Sequence, residues 1–297
     1  MKYVIVGGAG HTSKPIAEAL LQAGHDVTVI GRNAANLKPL TDAGAKAAIG
    51  SIEDMGFLKS AFTGADAVYT MVPPKMDAPD WKAYIAQIGK NYAGAIKAAG
   101  VKYVVNLSSV GAHLPEGCGP VSGLYHVEQA LNALADVKVL HLRPAYFYYN
   151  FLNNAGMAKH MGIIGSNFGG DDRKQPLVHT ADISRVAADA LLHLNFNGHS
   201  IRYIVSDERT TAEIAQILGA AIGKPELPWV YFTDAQAVDG MKQAGLTEEV
   251  ATNYAEMGAS MQTGVMAEDY WKHHPAQLEP TKLEAFAPQF ATAYQAA

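Results

Sequence analysis

A single cysteine, Cys118, stands among 297 residues, so no internal disulfide is possible and the fold must be held by burial and hydrogen bonding. Such sparing use of cysteine fits a reducing compartment, and a cytoplasmic location is the expectation. Runs of one charge are missing too. Lys and Arg number 23 against 28 Asp and Glu, a formal net charge of -5, which argues against nucleic acid or an anionic membrane surface as partner. No apolar run approaches the ~18 residues that cross a bilayer. The apolar stretch near residue 1 is broken within a few positions by glycines and His11, unlike a signal peptide. Asp171-Asp172 and His273-His274 are not spaced to place ligands on one helical face, so no metal site is expected. A hydrolase triad from His179, Asp182 and Ser184 is likewise set aside, Thr180 or Asp182 being read as a helix cap. What remains is a chain 49% hydrophobic and 17% charged, long enough to bury a large core.

Its organising stretch is Tyr3-Val4-Ile5-Val6-Gly7-Gly8-Ala9-Gly10-His11-Thr12-Ser13-Lys14-Pro15. A strand-type apolar run enters a glycine turn, and a hydroxyl cap with a first-turn proline announces a helix. Gly7 can take the positive φ of a sharp reversal, and Gly10, lacking a Cβ, lets a pyrophosphate approach free N–H groups at the helix start. The spacing Gly7-x-x-Gly10-x-x-Ser13 departs from G-x-G-x-x-G, with a small serine at the third place. A dinucleotide is the expected guest, held by Gly7, Gly10, His11, Thr12 and Ser13.

The chain then alternates strand and helix. Strands are expected over 26–30, 45–49, 66–72, 101–107 and 137–142, with helices over 33–43, around Phe57 to Phe62, 80–99 and 123–134. Together with the first strand this is a complete doubly wound α/β pattern, a parallel sheet in the Rossmann order 3-2-1-4-5-6. In such sheets ligands lie at the carboxyl ends of the strands, which adds Arg32 and Asn33, Ser51, Met71, Val72 and Pro73, and Leu107, Ser108 and Ser109 to the cofactor set. Gly31-Arg32-Asn33 ends the second strand with an arginine and no carboxylate, the choice that accommodates a ribose 2′-phosphate, so NADP is favoured over NAD. Arg32 stacking on adenine or facing solvent is the alternative.

From Arg143 the rhythm changes to a region crowded with aromatics, glycines and asparagines, expected to form a substrate lip with Tyr146, Tyr148 and Tyr149 as flat walls. Helices follow over 180–192, 210–222, 234–244, 247–261 and 281–294, with a strand over 201–205. The division expected is a dinucleotide-binding domain over 1–150 and a smaller, mostly helical C-terminal lobe over 151–297, of which 178–205 packs back on the first domain.

Gly7-x-x-Gly10, Asp66-Ala67-Val68, Leu107-Ser108-Ser109-Val110-Gly111-Ala112, Glu128, Leu142-Arg143-Pro144 with Asn150, and Thr180-Ala181-Asp182-Ile183 stand in that order along the whole chain. In this combination the sequence resembles the NmrA-like branch of the atypical short-chain dehydrogenases. The resemblance implies a Rossmann domain with a smaller C-terminal lobe and NAD(P)(H) in the cleft between them. Members of that branch include quinone and dye reductases, and also regulators that bind the dinucleotide without turning it over.

Relatives that move protons use a Tyr-x-x-x-Lys pair after the fifth strand. Anchored on Glu128 and Arg143-Pro144, those two places fall near Pro120 and Leu124, which cannot transfer a proton. Tyr125 with Gln129 has the spacing but no charge to lower a phenol's pKa. No catalytic residue is assigned, and His113, Tyr125 and His126 are the candidates, each with a purely structural alternative. Hydride transfer to a quinone or dye needs mainly proximity and stacking. The expectation is therefore an NAD(P)H-dependent reductase of a flat, small aromatic or quinone-like acceptor, against the alternative of a non-catalytic NADP(H) sensor. Arg143 and Asp182 are read as a fold-stabilising pair or, alternatively, a structural clamp. The oligomeric state is not legible.

Overall fold

The computed structural model describes residues 1–297. Its first half comprises β1 (Lys2–Val6), α1 (Ser13–Gln22), β2 (Asp26–Gly31), α2 (Ala34–Asp42), β3 (Lys46–Ile49), α3 (Met55–Phe62), β4 (Ala67–Thr70), α4 (Trp81–Ala99), β5 (Tyr103–Leu107), α5 (Pro120–Asn132) and β6 (Lys138–Pro144). The second half adds β7 (Tyr146–Phe147), a 3₁₀ segment (Tyr148–Asn154), α6 (Ala155–His160), β8 (Ile164–Ser166), β9 (Gln175–Val178), α7 (Thr180–His193), β10 (His199–Ile204), β11 (Asp207–Arg209), α8 (Thr211–Ala221) and β12 (Trp229–Tyr231). It ends with α9 (Asp234–Gln243), α10 (Glu248–Thr263), a short 3₁₀ turn (Val265–Ala267), α11 (Glu268–Lys272) and α12 (Leu283–Ala296).

The main sheet is parallel throughout and ordered β10-β6-β5-β4-β1-β2-β3. The expected six-strand order is present, extended by β10, which runs beside β6 with His199 opposite Val139 and Ile204 opposite Pro144. Each inner strand is covered on both faces by helices, and its residues accordingly form near-continuous apolar runs such as Tyr3-Val4-Ile5-Val6, all buried. One core lies under α1 and α7, built on Tyr3, Ile5, Ile16, Leu20 and Leu191. The opposite core, under α4 and α5, holds Val4, Val6, Phe62, Tyr92, Ile96 and Leu131. Tyr3 donates its hydroxyl to Leu191 O at 2.9 Å, tying α7 to the first strand. A third core, of Tyr148, Phe151, Leu218, Phe286 and Phe290, packs α12 on α8, α6 and the 3₁₀ segment. Two small sheets, β11-β9-β7 and β12-β8, brace that part, and neither shows a periodic signal in sequence because no strand in them exceeds four residues.

Close backbone approaches explain two glycines in the helices. A Cβ at Gly89 of α4 would lie 2.7 Å from Val127 Cα, and one at Gly123 of α5 would lie 2.7 Å from Ile85 Cβ. Those two positions let α4 and α5 touch backbone to backbone. α5 begins at Pro120, three residues earlier than the sequence suggests, because proline is well suited to the first helical turn. The capping of α7 also differs from expectation. His179 is the N-cap, its Nδ1 accepting Ala181 N–H at 3.1 Å, while Asp182 already lies inside the first turn.

Candidate functional site

The exits of β1, β2, β4, β5 and β6 meet along one line, and the glycine turn sits at its centre. Gly7 has φ +71, and a Cβ there would lie 2.8 Å from Met71 Sδ. Gly8, not singled out in the sequence, is equally constrained: its Cβ would lie 2.7 Å from Val29 Cβ. Gly10 N–H closes the turn on Gly7 O at 2.8 Å, and Lys14 N–H bonds Gly10 O at 3.0 Å. The N–H groups of Ala9, His11, Thr12 and Ser13 donate to no carbonyl or side chain of the protein. Four unsatisfied donors beside the positive end of α1 form a cradle for an anion, and an exposed Gly10 leaves it open.

The side chains of that loop divide into two groups. His11 is exposed, and its ring lies against Tyr149, centroids 5.0 Å apart. Thr12 and Ser13 are buried, their hydroxyls beside the Tyr69 phenol, whose pKa burial drives well up. The hydroxyl cap expected for α1 is not made, since Thr12 has helical backbone angles and no side-chain cap bond. Ser13 instead keeps helix and strand close, and Thr12 O accepts Ser184 Oγ at 3.0 Å, which fastens α7 under the loop.

At the β2 exit Arg32 is exposed and enters no ion pair or hydrogen bond, while Asn33 caps α2 by accepting Ala35 N–H at 2.8 Å. Ser51, beyond β3, accepts Glu53 N–H at 3.1 Å. Lys75 is drawn to the same corner, 3.0 Å from Glu53 and 4.9 Å from the centre of the Tyr84 ring. Burial and Glu53 push the Tyr84 phenol up to about 12, against the opposing field of Arg32. Lys75 and Tyr84 escaped the sequence reading; a lysine directly after the Pro73-Pro74 stop was the available signal. Met71, Val72 and Pro73 are partly exposed at the β4 exit, and Tyr92 fixes the backbone there by donating to Met71 O at 2.6 Å.

The β5 exit departs from expectation at one side chain. Ser108 is buried and donates its hydroxyl to Glu128, so only its backbone is available at the strand end, beside the partly exposed Leu107 and Ser109. Glu128 in turn holds Arg143 by two bonds, from Nε at 3.0 Å and Nη2 at 2.7 Å, and Arg143 reaches Tyr203 at 3.0 Å and Asp269 at 3.1 Å. The supposed Arg143–Asp182 pair therefore does not exist. Asp182 serves Ser206 Oγ at 2.7 Å and Thr281 N–H at 3.1 Å.

The three tyrosines of the expected lip go to three places. Tyr148 is core, 1% exposed, with its hydroxyl on Thr281 O at 3.0 Å, and cannot wall a substrate. Tyr149 reaches over to the ring of His11 in the glycine loop. Tyr146 alone lines a slit at the β5 and β6 exits, with Val110, Met261, Met266, Arg173, Lys174 and Trp271 among its walls and an internal volume of only about 20 Å³. Chain distance hid this grouping, because its residues come from five separate segments.

The three candidate proton carriers are not brought together. Both nitrogens of His113 are buried without partners, and burial lowers its pKa against the raising influence of Asp269. Tyr125 and His126 meet edge to face on α5, centroids 5.2 Å apart, and no ring contact or hydrogen bond joins either to His113. Pro120 and Leu124 stand where the tyrosine and lysine of a proton-shuttling pair were sought, one opening α5 and the other packed against the core. A groove of about 400 Å³ on the outer side of β10, with Arg202, Asp269, His273 and Glu279, lies at the opposite edge of the sheet from β2 and β3.

The sequence model of the NmrA-like family matches residues 2–287. The chain belongs to the NmrA-like family. No curated protein sequence matches it. Among solved structures, this NmrA-like protein is similar to the NADPH-dependent quinone oxidoreductase of Escherichia coli complexed with NADPH, at 19% identity and TM-score 0.76, covering 97% of this chain and 99% of the other. It is similar to the Citrobacter sp. triphenylmethane reductase complexed with NADP(H), at 20% identity and TM-score 0.78, covering 97% and 99%. A nucleoside-diphosphate-sugar epimerase of Staphylococcus aureus matches at 15% identity and TM-score 0.79, covering 97% and 100%. At such identities the likeness establishes a Rossmann-type fold and leaves the chemistry to the site.

Proposed function

We propose that this NmrA-like protein is an NADP(H)-dependent oxidoreductase that passes hydride to a flat acceptor of quinone or dye type. The observation that carries the reading is the row of unbonded amides at Ala9, His11, Thr12 and Ser13, on the same line of strand exits as the unpaired Arg32 and the Tyr146 slit. The crystals of the quinone oxidoreductase and the triphenylmethane reductase, which hold NADPH and NADP(H), support it.

The cradle fits the pyrophosphate: its donors are backbone, so they present no protons to titrate and need no reorganisation. Arg32, with Lys75 behind it, takes the ribose 2′-phosphate, Asn33 and Ser51 flank the adenosine end, and Met71, Val72 and Pro73 form a stiff wall with few donors. Leu107 and the backbone of Ser108 and Ser109 border the nicotinamide end. When bound, the dihydronicotinamide supplies a hydride, leaving NADP⁺, and one proton from water completes reduction of a quinone to hydroquinone. The chain's part in that step is to hold the acceptor flat against Tyr146 and to exclude competing water with Met261 and Met266. No tyrosine–lysine pair is needed, and His113, its pKa lowered by burial and both ring nitrogens unbonded, is the buried imidazole candidate. In this reading residues 1–150 carry the dinucleotide, 151–297 mainly cover the acceptor, and the protein works in the cytoplasm.

A second reading, a dinucleotide sensor without turnover, draws on the narrowness of the slit, which admits no ring until its methionines move. Mixing protein with NADPH and a panel of quinones and dyes separates the two. Oxidation well above background supports the reductase, and tight NADPH binding with none supports the sensor. Arg32→Ala is expected to weaken NADPH by about 10-fold or more and NADH by less than about twofold, as loss of one charge-assisted contact dictates. Equal losses in calorimetric titrations would remove the 2′-phosphate role.

A further inference from the structure

The slit between Tyr146 and α10 has a charge character of its own. Its aromatic and sulfur walls are Tyr146, Met261, Met266 and Trp271, and its only charged walls are Arg173 and Lys174. No carboxylate lines it. Acids close to its mouth are engaged elsewhere: Glu268 with Lys272, Asp269 with Arg143 and Tyr203, and Glu208 with Tyr270 and His274. Asp171 and Asp172 precede Arg173 on the exposed loop: Asp171 is a loose partner at 3.9 Å, and neither acid is among the walls of the slit.

The two cations are differently placed. Arg173 donates Nη1 to Gln262 O at the end of α10, so a neutral carbonyl holds the guanidinium across the slit. Lys174 is exposed and has no partner of either kind. Trp271 is 39% exposed, unusual for so large a ring, and is kept in orientation by His274, stacked with the planes 7° apart. His274 is in turn anchored on Glu208 at 2.6 Å. An oriented indole face beside an unpaired ammonium suits a flat ring with an anionic substituent. A carboxylate or sulfonate is a stronger partner for a guanidinium than a peptide carbonyl is. Such a group would compete with Gln262 O for Arg173.

We infer that the slit selects acceptors that are flat and acidic, an aromatic or quinonoid ring carrying a carboxylate or sulfonate, with Lys174 and Arg173 receiving the anion and Trp271 the ring. The inference rests on the slit being the acceptor site of the function proposed above, and it sets a charge preference opposite to that for a cationic dye.

Binding and turnover test it separately. With NADP⁺ present, calorimetric titration of naphthalene-2-sulfonate, which cannot be reduced, is expected to give affinity about 10-fold or more above that of neutral naphthalene-2-carboxamide. Lys174→Ala, an exposed substitution without structural cost, is expected to remove most of that advantage and to change the neutral ligand by less than about twofold. In NADPH oxidation, kcat/KM should fall in the order 1,4-naphthoquinone-2-sulfonate, 1,4-naphthoquinone, cationic triphenylmethane dye. Equal binding of the two naphthalenes, or equal losses for both in Lys174→Ala, overturns the inference even where quinones are reduced. Selective sulfonate binding without any oxidation upholds the anion site and overturns the reductase reading instead.

Discussion

The two ends of the cleft are made of different material. At the β1 end the anion cradle is backbone: unbonded amides of the glycine loop, shaped by Gly7, Gly8 and Gly10. At the β5–β6 end the acceptor side is mainly side chain, from the Tyr146 slit to the buried chain Ser108, Glu128, Arg143, Asp269 and Tyr203 behind it. A backbone site depends on local sequence and tolerates change elsewhere. A side-chain site depends on partners up to 126 residues away, such as Asp269 for Arg143, and fails when any one is removed. Binding of the dinucleotide and treatment of the acceptor should therefore respond to different mutations.

The sharpest test removes the centre of the buried chain. Glu128 and Arg143 are 2% and 5% exposed, so the guanidinium left by Glu128→Ala would face the interior with only Asp269 and Tyr203 as partners. Removing one member of such a pair costs about 3–5 kcal/mol, and here the surviving guanidinium exchanges a two-bond buried partner for the single bond to the partly exposed Asp269. Urea denaturation should show a loss of that size, and the folded fraction should still bind NADPH within about threefold of the parent. A stability change under about 1 kcal/mol would mean the two ends do not differ in this way.

A smaller effect is carried by a polar row through the sheet. Thr70 donates to Asn106 Oδ1 at 2.9 Å, Asn106 Nδ2 to His141 Nδ1 at 3.1 Å, and His141 Nε2 to Asn132 Oδ1 at 2.9 Å. Both ring nitrogens are thus committed with the imidazole neutral, and burial lowers its pKa to about 4 from the usual histidine value. A folded pKa below the unfolded one, about 6.5, means that the unfolded chain takes up the proton first. Stability is full above about pH 6.5, falls as the pH drops toward 4, and loses nothing more to this group below that. Between pH 7 and pH 5 the loss amounts to about 2 kcal/mol. His179, its pKa also lowered by burial while Nδ1 caps α7, acts in the same direction. In His141→Gln, whose amide does not titrate, stability measured over that range should flatten. An unchanged slope would leave the row without a role in acid sensitivity.

How far the sequence discloses each part follows from the same contrast. The strand order, the glycine turn and Arg32 at the β2 exit were legible because periodicity and backbone chemistry are local. β10 as a seventh strand was half legible: its apolar run is visible, its place beside β6 is not. Tyr146, Tyr148 and Tyr149 are nearly adjacent, yet one lines the slit, one is core and one covers His11. No local signal separates them, since their fates are set by α12 and the glycine loop. Lys174 and Trp271 carry no motif, and only folding places them together. Ser108 misled because its position at a strand exit was right and its hydroxyl turned inward to Glu128.

Tyr149 is where the two materials meet, and it gives the finest test. It belongs to the aromatic segment after β6, yet its ring sits 5.0 Å from that of His11 in the glycine loop, with 47% of its surface still exposed. A half-exposed, tilted ring contact is worth about 0.5–1 kcal/mol. On the proposed function, Tyr149→Ala should therefore weaken NADPH by about two- to fivefold through a faster off-rate, because what it removes is the ring contact to His11 of the glycine loop. Tyr149→Phe should bind as the parent does. Stopped-flow release of NADPH measures both. Were the phenylalanine variant as weak as the alanine one, the hydroxyl would be a phosphate contact, and the cradle would depend on a side chain from the far half of the chain after all.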